Sequence, residues 1–98
     1  MGKYFLTNKA VEDLSAIWVF TFENWSEKQA DIYYQLLIES FNEISNKPTI
    51  GKSYFDVLEN LRGLKVGRLI VFFKHVDKKI EIIRILHEQM DLKNRING

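Results

Sequence analysis

The chain has 98 residues, no cysteine, 14 Lys and Arg against 13 Asp and Glu, and a composition that is 46% apolar and 13% aromatic. That length suits one domain over residues 1–98, with room for a core but not for a second lobe, and its apolar and charged fractions argue against disorder. The missing cysteine excludes a disulfide scaffold, a thiolate nucleophile, thiolate-held zinc and iron–sulfur clusters, and a net charge of +1 argues against coating nucleic acid by bulk electrostatics.

The opening Met1-Gly2-Lys3-Tyr4-Phe5-Leu6 has neither the long apolar region nor the small-residue cleavage site of a secretory signal, and Leu6 stands where a myristoylation signal wants Ser or Thr. The longest uncharged apolar stretch, Leu14 to Phe22, is far shorter than the ~20 residues that span a bilayer. The expectation is a soluble, cytoplasmic protein with no membrane contact.

Lys3 to Thr7 reads as a short strand, with Tyr4 and Leu6 opposite Phe5. Thr7 or Asn8 then caps a helix whose apolar stripe is Ala10, Val11, Leu14, Ile17, Trp18 and Phe22, with Glu12 and Asp13 in its first turns to complement the dipole. Ser26-Glu27-Lys28-Gln29 is a capping box for a second helix, and Trp25 and Ala30 occupy the positions of a hydrophobic staple. Ala30, Tyr33, Tyr34, Leu37, Phe41 and Ile44 form its stripe, which ends before Asn46-Lys47-Pro48. The short link Glu23-Asn24-Trp25 makes the two helices an antiparallel hairpin.

After an irregular stretch from Pro48 to Asn60, three strands are expected: Leu61–Val66, Arg68–Val76 and Lys79–His87. Gly67 marks one tight turn and Asp77-Lys78 a hairpin. The run Leu69-Ile70-Val71-Phe72-Phe73 lacks alternation, as a central strand does. In the last strand Ile80, Ile82, Arg84 and Leu86 are expected on one face and Glu81, Ile83, Ile85 and His87 on the other. The order β-α-α-β-β-β predicts an α+β domain, a helical hairpin packed on a small antiparallel sheet.

Dividing the charge along the chain gives net −3 for residues 1–50 and net +4 for residues 51–98. Lys78 and Lys79 suit an exposed strand edge, whereas Arg84 between Ile82 and Leu86 requires a carboxylate or a phosphate, and either partner satisfies it. With two separated histidines, His75 and His87, and no cysteine, no metal site is expected, and no Gly-rich phosphate loop, GxSxG elbow or HExxH pair is present, so no cofactor is expected either. His87 ends a strand where it can exchange a proton while Arg84 or Arg68 steadies charge on a phosphate. Trp18, Tyr33 and Tyr34 lie at helical spacing, which favours core or a partner groove over a stacking platform for bases.

Taken together, Thr7…Ala10, Glu12-Asp13-Leu14…Ile17, Trp25…Gln29-Ala30…Tyr33, Asn46-Lys47-Pro48…Gly51-Lys52, Leu61-Arg62-Gly63 and Ile82-Ile83-Arg84-Ile85-Leu86-His87-Glu88-Gln89-Met90-Asp91 form a series that resembles the ParE branch of the RelE/ParE toxin superfamily. Its most specific piece is Arg-Ile-Leu-His-x-x-Met-Asp, Arg84 to Asp91; departures are Lys52, where the family often has Arg, and Phe72-Phe73-Lys74 in place of Phe-Tyr-Arg. The resemblance implies a helical hairpin on a small antiparallel sheet and the toxin of a type II toxin-antitoxin pair. Such a toxin is neutralised by a ParD-like antitoxin in a hetero-oligomeric complex and inhibits DNA gyrase, blocking replication and arresting growth, without being an enzyme. The target contact is then expected at Arg84, His87, Met90 and Asp91, and the antitoxin groove at Ile17, Trp18, Tyr33, Tyr34 and Leu37. The RelE branch implies a different activity on the same scaffold, ribosome-dependent cleavage of messenger RNA, for which His87, Arg84, Arg68 and Arg62 are the candidate catalytic residues.

Overall fold

The computed structural model describes residues 3–89 and 95–96. Its elements are β1 (Lys3–Leu6), α1 (Asn8–Asn24), α2 (Glu27–Asn46), β2 (Lys52–Ser53), β3 (Arg62–Val66), β4 (Leu69–Val76) and β5 (Lys79–His87). The five strands form one sheet in the order β1-β5-β4-β3-β2. The α+β architecture and the order of its main elements follow the sequence pattern. The two-residue β2 does not, because Lys52 and Ser53 are both exposed and carry no apolar alternation; they pair with Gly63 and Arg62. Among the described residues, no helix is long and apolar enough to cross a membrane.

Local chemistry accounts for the element boundaries. Thr7 caps α1: its hydroxyl accepts from the Ala10 amide at 3.1 Å and donates to the Ile83 carbonyl at 2.8 Å, so one side chain starts the helix and ties it to β5. Because α1 begins at Asn8, Glu12 and Asp13 lie in its second turn, beyond the first-turn amides that the dipole argument concerns. Ser26 caps α2 by accepting from the Gln29 amide at 3.1 Å. The staple is not made: Ala30 is fully buried while Trp25 is 76% exposed, the hairpin tip having turned its ring to solvent. Gly67, at φ 63°, takes the first central position of the two-residue loop between β3 and β4, where a side chain would be strained.

The helices cover one face of the sheet. Leu37, Phe41 and Ile44 of α2 and Ala10 of α1 pack on Leu69, Val71 and Phe73 of β4 and on Ile80, Ile82 and Ile85 of β5. Complete burial of a side chain such as Phe41 contributes about 1.5–3 kcal/mol, so this layer is the main source of stability. The opposite face carries a smaller cluster, Leu61, Ile70, Phe72 and Leu86, onto which Tyr54, Val57, Leu58, Ile83 and Ile96 fold.

The faces of β5 differ from simple alternation. An irregularity opposite Phe72 and Phe73 shifts the register, so that Arg84 pairs with Phe72 and Ile82 with Phe73. Ile83 is the extra residue, and beyond it the inward face changes parity. Ile80, Ile82 and Ile85 therefore share the helix side, while Ile83 and Leu86 join the other cluster. Arg84 is opposite Phe72 and on the face away from the helices, with Leu86 but not with Ile80 and Ile82.

Gly63 is buried where the second cluster is tightest: a Cβ there would lie 2.8 Å from both Ile70 Cγ2 and Tyr54 Cε2. Gly63→Ala should therefore destabilise the fold by about 1–3 kcal/mol through overpacking. Urea unfolding checks this by a lowered midpoint at unchanged slope.

Candidate functional site

The side chain of Arg84 is largely enclosed and internally paired. Its Nε donates to Asp13 Oδ2 at 2.8 Å and its Nη2 to Asp13 Oδ1 at 3.0 Å, a two-point contact between residues 71 apart in sequence. Asp13 Oδ2 also accepts from the Ile85 amide at 3.0 Å. β1 covers the β5 edge only from Lys79 to Ile82, and the chain then turns into α1. Asp13 takes over where β1 stops, supplying a carboxylate oxygen to the next outward-facing amide of the edge. The third guanidinium nitrogen, Nη1, donates to the Arg95 carbonyl at 2.9 Å. Hydrogen bonding to Asp13 holds the Arg84 guanidinium more firmly protonated than usual, against the opposing effect of burial. Of the two partners open for Arg84 in the sequence, the carboxylate is the one present.

The other candidate residues occupy separate parts of the sheet. Arg62 donates through Nη2 to the carbonyls of Thr49 at 2.8 Å and Gly51 at 3.1 Å, and through Nε to that of Ile50 at 3.4 Å, which ties down the loop before β2. Arg68 is exposed in the β3–β4 turn, and its carbonyl accepts from the Glu88 amide at 2.9 Å. His87 is therefore beside Arg68; its Nδ1 accepts from the Gln89 amide at 3.2 Å, which leaves the proton of a neutral ring on Nε2. Arg62 pairs with Phe73 and His87 with Leu69, four residues apart along β4 and on strands that flank it on either side. Their backbones are thus about 16 Å from each other by strand geometry. The four candidate catalytic residues do not converge: His87 and Arg68 form one corner, Arg84 is held by Asp13, and Arg62 is distant. Met90 and Asp91 lie outside the described residues.

The same corner carries an ion pair that the sequence pattern does not reveal, Lys65 Nζ to Glu88 Oε2 at 2.8 Å. Lys65 holds the Glu88 carboxyl below its usual range. The small stabilisation this gives is present above the ordinary glutamate range and is lost as the pH falls through the lowered value.

The predicted groove residues divide in two. Trp18 and Tyr34 line an open groove on the outer side of the helical hairpin, together with Val11, Leu14, Ser15, Val19 and Asp31, with a volume of ≈ 540 Å³. Trp18 Nε1 donates to Asp31 Oδ1 across the groove at 3.3 Å, and the indole stacks on Phe22 with centroids 5.2 Å apart. Ile17 and Tyr33 are half-buried against the main core. Leu37 is fully buried within that core, on the side of α2 that meets the sheet, and this corrects its placement in a groove. Val11, Leu14, Ser15, Val19 and Asp31 line the open groove without having been singled out as groove residues in the sequence. A signal for Val11 and Val19 exists, since α1 carries one apolar stripe at 10, 14, 17 and a second, outward one at 11, 18, 19, 22.

Two outcomes are expected from this arrangement. Asp13→Ala leaves an enclosed guanidinium unpaired and the Ile85 amide uncapped, and should cost about 2–4 kcal/mol, read as a fall in the urea midpoint that Asp13→Glu only partly restores. By NMR titration, the Glu88 carboxyl should have a midpoint below the usual glutamate range and rise in Lys65→Ala.

Comparison with known proteins places this geometry. The family model described as "ParE toxin of type II toxin-antitoxin system, parDE" matches residues 4–92. The chain is 30% identical over 93 residues to Toxin ParE1 of Caulobacter vibrioides, covering 95% of this chain and 96% of that protein. It is 26% identical over 96 residues to Toxin ParE1 of Mycobacterium tuberculosis, covering 97% and 98% respectively. A solved structure, "Chromosomal ParDE TA system from P. aeruginosa", shares the fold with a TM-score of 0.77 at 22% identity, over 89% of this chain and 96% of that one. With its helical hairpin, its five-stranded sheet and a family match that runs through the Arg84–Asp91 segment, the chain belongs to the ParE toxin family of type II toxin-antitoxin systems.

Proposed function

We propose that this chain is the toxin of a type II pair, that a cognate ParD-like antitoxin neutralises it in a hetero-oligomeric complex, and that the free toxin acts in the cytoplasm by inhibiting DNA gyrase, which blocks replication. The observation that carries this reading is the family match over residues 4–92, which follows the ParE branch. The arrangement of the basic residues supports it. Arg62 and Arg84 spend their guanidinium donors inside the fold, as suits a surface that binds more than a site that reacts. The target contact is the end of β5 and the segment beyond it, from Arg84 to Asp91. Arg84 acts there by positioning the strand end, while His87, Met90 and Asp91 supply the contact.

One observation favours the ribosome-dependent nuclease: His87 and Arg68 share a corner, an acid/base group beside a cation. The two readings differ in one preparation. Purified chain added to DNA gyrase and supercoiled plasmid at stoichiometric amounts should accumulate cleaved DNA without ribosomes, and equimolar antitoxin should suppress it. His87→Ala should weaken that effect roughly fivefold or more, as loss of a contact residue does, with unchanged circular dichroism. Transcript cuts in the ribosomal A site that vanish in His87→Ala, with gyrase unaffected, would replace this function by the nuclease.

A further inference from the structure

The outer groove of the helical hairpin combines two properties that constrain what covers it. Its walls are apolar and solvent-facing: Val11 and Val19 are about half exposed, and Tyr34 is 40% exposed. Half-exposed apolar side chains gathered on one helical face form a surface suited to being covered by a partner. Its one charged lining residue is Asp31. Oδ1 of Asp31 is engaged by the Trp18 indole, and Oδ2 has no cation within ion-pair distance among the described residues. The surrounding field has the same sign: from Glu12 to Glu43 the hairpin carries seven acidic residues and a single basic one, Lys28. Of those acids, Asp13 alone is in an ion pair within the described residues.

We infer that the antitoxin segment seated in this groove is an apolar segment bearing a Lys or Arg that pairs with Asp31 Oδ2, and that Asp31, oriented by Trp18, selects the cognate antitoxin. The inference deepens the toxin reading and rests on it. The physical argument is one of sign. Covering the groove removes Asp31 from water, and an ionised carboxylate that loses its hydration without a cation is strongly penalised. A partner with an acidic or neutral residue at that point is therefore rejected, while the apolar walls accept many sequences. A second copy of this chain is disfavoured as the occupant by the same sign, because two hairpins of this charge repel on approach.

The test uses the full chain and the full-length protein encoded immediately beside its gene, with affinity measured at low and high salt. Asp31→Lys should weaken binding roughly tenfold or more. Asp31→Asn, which keeps an oxygen for the Trp18 indole, should weaken it by less and flatten its salt dependence. Replacing the antitoxin's cations one at a time by Glu should identify one change that restores binding to Asp31→Lys. Val76→Lys, a new cation on an exposed residue at the β4–β5 hairpin, should leave affinity unchanged. Wild-type affinity in both Asp31 variants, with circular dichroism intact, overturns the inference and leaves the toxin reading standing. Self-association that responds to Asp31 while antitoxin affinity does not also overturns it, in favour of a second copy. Failure of the wild-type chain to bind its neighbour's product removes the toxin reading itself.

Discussion

The carboxylate of Asp13 is the point on which the arrangement of the sheet edge depends. A strand at a sheet edge presents unpaired amides, and β1 is too short to cover all of β5. Asp13 reaches over from the next element, accepts from the Ile85 amide, and holds Arg84 with both oxygens. The helix that lies across the sheet is thereby attached at its second turn, after Thr7 has already attached its start. Arg84 passes the constraint on to the Arg95 carbonyl, so Arg95 is held by the same pair. Three parts of the chain meet at one ion pair, and a partly enclosed pair held by this many hydrogen bonds is costly to break from either side.

The same internal use of charge shows in how the basic residues are distributed over the sheet. A phosphodiester-cleaving site needs its cations and its acid/base group aimed at one point about 3 Å across. Here the cations are spread over the sheet: one staples the loop before β2, one locks β5 to α1, and one faces solvent in a turn.

Much of this was legible in the sequence because the relevant signals are local. Thr7 and Ser26 cap helices where their oxygens meet free amides, and Gly67 makes the turn its φ permits. The last strand runs from Lys79 to His87 as its pattern predicts. The staple at Trp25 and the first-turn acids were misread locally, but the larger differences depend on contacts between distant residues. Alternation along β5 cannot reveal an irregularity set by its pairing with Phe72 and Phe73. A helical stripe shows that Leu37 is apolar but not that the sheet, rather than a partner, covers it. Arg84 announced a need for an anion, but its partner lay 71 residues earlier, on a helix whose dipole already gave a reason for an acid. Lys52 and Ser53 carry no strand signal of their own and pair only because Arg62 and Gly63 lie opposite.

The strand order has a bearing on when the molecule can exist at all. β1 is the first strand made and its neighbour, β5, is the last. During synthesis the helical hairpin emerges with its apolar stripes well before the strands that cover one of them, so the folded domain forms only once β5 has been made. Such sequence-distant pairing slows folding and leaves apolar surface open to other chains in the interval. In that interval the hairpin's outer face already exists, while the end of β5 and the contacts that Asp13 makes with it do not.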